Sequence, residues 1–222
     1  EELQNSHSQA GLLMGIFAVP AIFLSIPGGL LFDRHGTREI TVACFILMIT
    51  GTVIMVIGRN FFYLALGRIL SGTGALILTI GLPRFVSRWF DGRELGTAMG
   101  IFNTAMPLGT IISFTTFGAL AQNFGWRTSV SIGGVASFMA LVAFLLFYKP
   151  APFATDTPIA EKAPGLPTFR ETGISIWIVG IAWMWFNAST ISFVTFAPDF
   201  FLTNRDFSIE FAGFLTSFLV WG

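Results

Sequence analysis

Charged residues in this chain come in short clusters separated by long uncharged runs. Residues 8–32, 40–58, 95–126, 128–148 and 172–198 hold no Asp, Glu, Lys or Arg, and 60–83 holds only Arg68. Another uncharged run begins at 211 and is cut off at Gly222. A membrane-spanning helix needs about 20 mostly apolar residues, whereas a barrel strand needs about 10 with strict alternation. Runs such as IFLSIPGGLLF and ALVAFLLFY are continuously apolar. They predict helices, which satisfy their own backbone groups once water is excluded. The expected spans are 10–32, 40–58, 61–83, 95–121, 128–148 and 174–201, with a seventh starting at 211. The span 174–201 is long, and Pro198 is a place where it could tilt or break.

Composition turns this pattern into a statement about solvent. Of 222 residues, 54% are hydrophobic and 26 are Phe, while only 11% are charged. A soluble domain carries about 25% charged residues. A water-soluble fold of this size could not hide so much apolar surface, and a bilayer removes the need. The expected fold class is therefore all-α, a polytopic membrane helical bundle. The formal net charge is zero, so no basic footprint suggests nucleic acid. A single cysteine, Cys44, excludes an internal disulfide, and neither His7 nor His35 has a plausible metal-ligand set around it. No metal or cofactor is expected.

The loops give an orientation. Arg34, Arg38, Arg84, Arg88, Arg93, Lys149, Lys162 and Arg170 fall in the connections on one side, against Arg59, Arg127 and Arg205 on the other. Excess Lys and Arg mark the cytoplasmic side. Residues 1–9 are then expected outside. The stretch 149–171, rich in Pro, Ala and Thr, reads as a linker between two helical bundles. The chain opens at Glu1 without a signal-peptide pattern and ends inside an apolar run. The expectation is a fragment of a longer protein.

The strongest local signal is Gly29-Leu-Leu-Phe-Asp33-Arg34-His-Gly36-Thr37-Arg38, which joins the first two spans. Gly29 would allow close helix approach and Gly36 a reversal at positive φ. Asp33, Arg34 and Arg38 sit where charge can stay wet and pair at a helix end. An ordinary charged turn that only enforces topology would look the same. The pattern nevertheless resembles the loop signature of the major facilitator superfamily, Gly-x-x-x-Asp-Arg/Lys-x-Gly followed by basic residues, found between the second and third of its twelve helices. Thr37 takes one usually basic position. Gly67-Arg68 with Ser71-Gly72-Thr-Gly74 resembles the family's fourth-helix motif, with Ser71 in place of the common Gln. Trp89-Phe90 with Arg93-Glu94-Leu-Gly96-Thr-Ala-Met-Gly100 resembles the approach to the fifth helix, and Gly125-Trp126-Arg127 the turn before the sixth. These matches fall in the family's order over about residues 10–150, and 172–222 fit by topology alone.

The resemblance implies three segments: 1–148 as a six-helix bundle lacking its first helix, 149–171 as a cytoplasmic linker, and 172–222 as the start of a second bundle. It also implies that Gly29, Asp33, Arg34, Gly36 and Arg38 form a latch that holds the outward-facing conformation.

Candidate pathway residues come from polarity at membrane depth. Arg68 is a charge within a span, which costs about 2.5–3.5 kcal/mol at a helix centre. It is either an anion or substrate ligand, part of a proton relay, or a structural Arg snorkelling to the outer interface. Asn103, Pro107 and Thr110 share one face of the fourth span, where Pro107 frees a carbonyl. Trp183, Asn187 and Thr190 share a face of the 174–201 span. Each group would line a solute path or simply bond between helices. Gly72, Gly74, Gly96, Gly100 and Pro107 are expected at helix contacts.

No cluster of nucleophiles or carboxylates stands at membrane depth, so no enzyme is expected. The expectation is a secondary transporter working by alternating access, monomeric, in a prokaryotic inner membrane. Its cargo would be a small inorganic or organic anion, with H+ or an exchanged anion as coupled ion. The motif stretches look most like cyanate- and nitrate-type permeases of the superfamily. A proton-coupled exporter of drug-like or neutral metabolites is the alternative, although Met106-Pro107 departs from the Gly-Pro of the family's drug exporters. A non-transporting receptor or sensor on the same scaffold is a further one.

Overall fold

The computed structural model describes residues 7–90, 92–150, 174–205 and 207–221. They form seven helices: α1 (His7–His35), α2 (Thr37–Ile57), α3 (Phe61–Trp89), α4 (Gly92–Phe124), α5 (Trp126–Phe147), α6 (Ile174–Arg205) and α7 (Ile209–Trp221). The stretches α2, α3, α4, α5 and Trp177–Arg205 are each long and apolar enough to cross a membrane, and α1 carries the apolar run Gly11–Ser25. Every expected span is therefore a helix, usually longer by a few residues. The helix α6 runs through Pro198 without a break. Most of the expected linker, residues 151–171, and residues 1–6 lie outside the described residues.

The chain separates into two compact units. One contains residues 1–103 and 120–156; the other contains 104–119 and 157–222.

In the first unit, α3 packs against both α1 and α2, and α5 packs on α2. The α2–α3 contact is backbone against backbone. A Cβ on Gly51 would stand 2.5 Å from the Gly67 carbonyl oxygen and 2.6 Å from the Ser71 nitrogen; a Cβ on Gly67 would stand 2.5 Å from the Gly51 oxygen. Gly74 sits the same way on the Cys44 carbonyl. The α2 residues involved, Cys44, Met48, Gly51 and Met55, repeat at intervals of four and three, which is one helix face. On α3 the glycines Gly67, Gly74 and Gly81 recur every seven residues. Seven residues fall about 20° short of two full turns, so the stripe drifts slowly around the helix. Gly67 and Gly74 face α2, whereas Gly81 lies on the Phe32 ring of α1. A second face carries Gly72 onto the Phe17 carbonyl of α1. Around these contacts Phe32, Cys44, Ile77 and Leu78 form a small buried core, with Leu24, Ile40, Phe45, Met48 and Leu82 packed on it.

Two features join α5 to α2. At one end Arg127 donates from Nη1 to the Val56 oxygen and from Nη2 to the Gly58 oxygen, both at 3.1 Å. Its guanidinium also lies over the Trp126 ring at 5.0 Å. The last carbonyls of a helix have no partner within it and carry the negative end of its dipole, so a forked cation is well matched there. At the other end an aromatic chain links Phe45, Phe144, Tyr148, Phe85 and Trp89, with centroids 5.0–6.4 Å apart. The turns into α2 and α5 share one geometry. Gly36 has φ 80° and Gly125 has φ 83°, each as a single residue between two helices, and only glycine takes that conformation without strain.

In the second unit α7 presents Ala212, Gly213, Thr216 and Ser217, all buried. A Cβ on Gly213 would stand 2.5 Å from the Phe114 oxygen of α4. At the turn between α6 and α7 the Phe207 ring stacks on Phe201 and meets Phe211 edge-on.

Of the glycines expected to set helix contacts, Gly72 and Gly74 make them. At Gly96 and Gly100 nothing stands within 4 Å of a Cβ position. That expected contact is not made among the described residues.

Replacing Gly74 with Leu drives a side chain into the α2 backbone, which cannot yield as a side chain can. The expected cost is about 2–3 kcal/mol, read as a lower unfolding temperature in detergent, while Gly96→Leu leaves that temperature unchanged. Equal melting of both variants would remove the glycine contact as the organising feature. Arg127→Met strips two carbonyls of their donor, at about 1.5–3 kcal/mol for a charged bond. Arg127→Lys recovers only part of this in the same melting assay, because an ammonium lacks the fork; full recovery would contradict the two-pronged contact.

Candidate functional site

The first candidate region is the turn between α1 and α2. Gly29 is buried in α1, and its carbonyl accepts a hydrogen bond from Arg84 Nη1 of α3 at 3.0 Å. A Cβ there would press on the same guanidinium at 3.2 Å. Glycine at this position lets the Arg84 guanidinium lie close against the α1 backbone. Gly36 makes the reversal at positive φ, and Arg38 is exposed in the first turn of α2. The backbone of Asp33 and Arg34 belongs to α1, and their side chains lie outside the described residues.

Arg68 occupies the eighth position of α3, about 10 Å along the axis from its start. It is half-buried and stands over the Phe17 ring of α1 at 5.9 Å. The next turn, at Gly72, touches the Phe17 backbone, which is what brings α1 close enough for that stacking. Ser71 bonds back to the Arg68 carbonyl at 3.3 Å. No acidic side chain pairs with the Arg68 guanidinium among the described residues. A cation–π contact stabilises a partly desolvated cation by about 1–2 kcal/mol, which leaves its positive charge uncompensated.

Two of the other polar candidates, Thr110 and Asn187, are satisfied within their own helices. Thr110 donates to the Met106 carbonyl at 2.9 Å. The Asn187 amide donates to the Trp183 carbonyl at 2.9 Å, so Trp183 and Asn187 are held together, with Thr190 less than a turn beyond. Trp183 also packs on Phe186 at 5.7 Å. Pro107 lies inside an unbroken α4, where its missing N–H leaves the Asn103 carbonyl without a helical donor. Asn103 is exposed in the first unit, and Pro107 and Thr110 belong to the second. No hydrogen bond joins the α4 group to the α6 group among the described residues. This pattern of Ser and Thr bonding to the i−4 carbonyl recurs at Ser113, Thr115 and Thr116. It is how hydroxyls avoid being orphaned in lipid.

Sequence reasoning placed Arg84 and Arg127 among loop charges that set orientation. The structure shows both as clasps between helices. A signal was present in each case. Arg84 follows Pro83 directly at the end of an apolar run, and Arg127 follows the glycine turn at the start of another.

Comparison with known proteins agrees with this architecture. The chain is 26% identical to a hexuronate transporter of Bacillus subtilis, over 97% of its own length and 53% of that protein's. It is 25% identical to a probable galactarate/D-glucarate transporter of the same organism, over 93% of its length and 52% of the relative's. It is 26% identical to a facilitated glucose transporter of Danio rerio, over 74% and 33% respectively. The chain thus spans about half the length of the first two relatives, or less of the third. All of it, residues 1–222, matches the family described as Major Facilitator Superfamily. With its all-α bundle of membrane-length helices, the chain belongs to the major facilitator superfamily.

Proposed function

We propose that this chain is part of a secondary transporter that carries a small organic anion by alternating access, with Arg68 as counter-charge to the cargo. The observation that carries the reading is the uncompensated Arg68 guanidinium at membrane depth. A buried charge kept without a protein partner is costly, and an anionic cargo relieves that cost during each cycle. The names of two relatives support the same class, since hexuronate, galactarate and glucarate are all sugar carboxylates. A carboxylate and a guanidinium match bidentately. A small inorganic anion, as in the cyanate- and nitrate-type permeases, would meet the same charge and is the narrower competitor. A neutral sugar is the second reading, favoured by the glucose-transporter relative and by the aromatic–amide pair Trp183 and Asn187.

In this reading 1–148 is the first bundle without its first helix, 149–171 the cytoplasmic linker and 172–222 the beginning of the second bundle. The protein is a monomer in a prokaryotic inner membrane, without enzymatic activity, and couples transport to H+ or to an exchanged anion. Gly29, Asp33, Arg34, Gly36 and Arg38 act as the conformational latch. The support for it is the seating of Gly29 under Arg84, which fixes the base of that turn against α3.

The test is uptake by the full-length protein in proteoliposomes. Labelled galacturonate is expected to accumulate, and glucose and nitrate are not. Arg68→Gln is expected to lower uptake about tenfold or more, the loss of one charged hydrogen bond, and Arg68→Lys to restore part of it. Uptake of glucose without the acid, or an unchanged rate in Arg68→Gln, would overturn the reading. For the latch, Asp33→Asn should reduce the initial rate severalfold while the amount of inserted protein stays constant. A full rate in Asp33→Asn would remove the latch role.

A further inference from the structure

The ring that meets Arg68 is itself seated on α3. Gly72 stands one turn beyond Arg68, and residues four apart share a helix face. Gly72 is buried. The Phe17 carbonyl lies against the place a Gly72 Cβ would take, and the Cδ2 edge of the Phe17 ring stands 3.2 Å from it. The half-buried ring reaches along this face to the Arg68 guanidinium, with 5.9 Å from Cζ to the centroid. Nothing comparable fixes the guanidinium. The Ser71 hydroxyl bonds to the Arg68 carbonyl and not to its side chain, and no hydrogen bond or carboxylate holds that side chain among the described residues. An arginine side chain left free samples many rotamers, and an anion that meets it must first order it.

We propose, resting on the reading of Arg68 as counter-charge to the cargo, that Phe17 is a positioning residue. Its ring holds the guanidinium in the place where a cargo carboxylate meets it. Three features support this. The attraction between a cation and an aromatic face comes from the ring quadrupole and takes up no N–H donor, so the fork of the guanidinium is left for a carboxylate. The ring is also neutral. A carboxylate in its place would cancel the charge that the cargo is to meet, whereas the ring orders the side chain and leaves the charge. Finally, the ring has a fixed origin, because Gly72 lets the Phe17 backbone rest on α3. An aliphatic side chain at 17 could pack on Gly72 as well, but it has no negative face to offer Arg68. Ordering a side chain before its ligand arrives removes that cost from binding. Phe17 therefore acts on the affinity for cargo more than on the rate of turnover.

The test is uptake of labelled galacturonate against its concentration by the full-length protein in proteoliposomes, with the melting temperature of each variant measured in detergent. Phe17→Leu is expected to raise KM about threefold to tenfold, the range of a partly desolvated cation–π contact, with the maximum rate staying within about twofold. Phe17→Tyr keeps the aromatic face and is expected to keep the parent KM. Trifluorophenylalanine at position 17 withdraws negative charge from the ring face at nearly constant shape. It is expected to raise KM as well, and it decides the matter if Phe17→Leu melts early. In an Arg68→Gln background Phe17→Leu should have no further effect on KM. A parent KM in the fluorinated protein, with uptake lowered by Arg68→Gln, would overturn the role of Phe17 and leave Arg68 as counter-charge. An equal rise in KM for Phe17→Tyr and Phe17→Leu would also overturn it, because packing alone would then be at work. Parent uptake by Arg68→Gln would remove the counter-charge, and the positioning role with it.

Discussion

The first unit depends on the direct contact of the α2 and α3 backbones at Gly51, Gly67 and Gly74. In water a helix pair gains from hiding apolar side chains. In lipid that gain vanishes, because the acyl chains are as apolar as Leu. What remains is van der Waals attraction, which is collectively large only when many atoms come close together. Glycine lets the two backbones approach to that distance. Because α3 meets α2 on one face and α1 on another, it sets the position of both neighbours, and its own side chains are carried into fixed places.

Two of those side chains are Arg68 and Arg84, and the arginines of this unit show how context changes the use of one residue type. Arg84 spends its charge on a backbone carbonyl of α1. Arg127 spends its charge on the last carbonyls of α2, where the helix dipole concentrates negative potential. Among the described residues Arg68 meets an aromatic face and no carboxylate. The first two charges are consumed within the fold, whereas the third is the one we propose as counter-charge to a solute.

Most of the Ser and Thr hydroxyls of the spans, and the Asn187 amide, behave alike, with the buried Thr41 hydroxyl of α2 an exception. Thr, Ser and Asn return to carbonyls of their own helices. Such bonds keep a hydroxyl or amide from being stranded in hydrocarbon while leaving a lone pair for an outside partner. A polar residue in a span is therefore not evidence of a solute path by spacing alone.

The positions of the helices are legible in the linear pattern of charge. Spacing of charge against a bilayer about 30 Å thick leaves few ways to divide 222 residues, and the observed helices follow those divisions, extending a few residues past them where charged loop ends still bond within the helix. The sequence also determined the Gly36 and Gly125 turns, because positive φ is a local property that glycine identity reveals. It could not separate Gly67 and Gly74, which touch a neighbouring backbone, from Gly96 and Gly100, which meet nothing among the described residues. Nor could it distinguish Arg84 and Arg127, which clasp helices, from charges that only face water. Those outcomes were decided by tertiary structure. Whether a missing Cβ or a guanidinium meets a partner depends on which helix lies across from it, and in lipid that choice is made by packing between surfaces far apart in the chain.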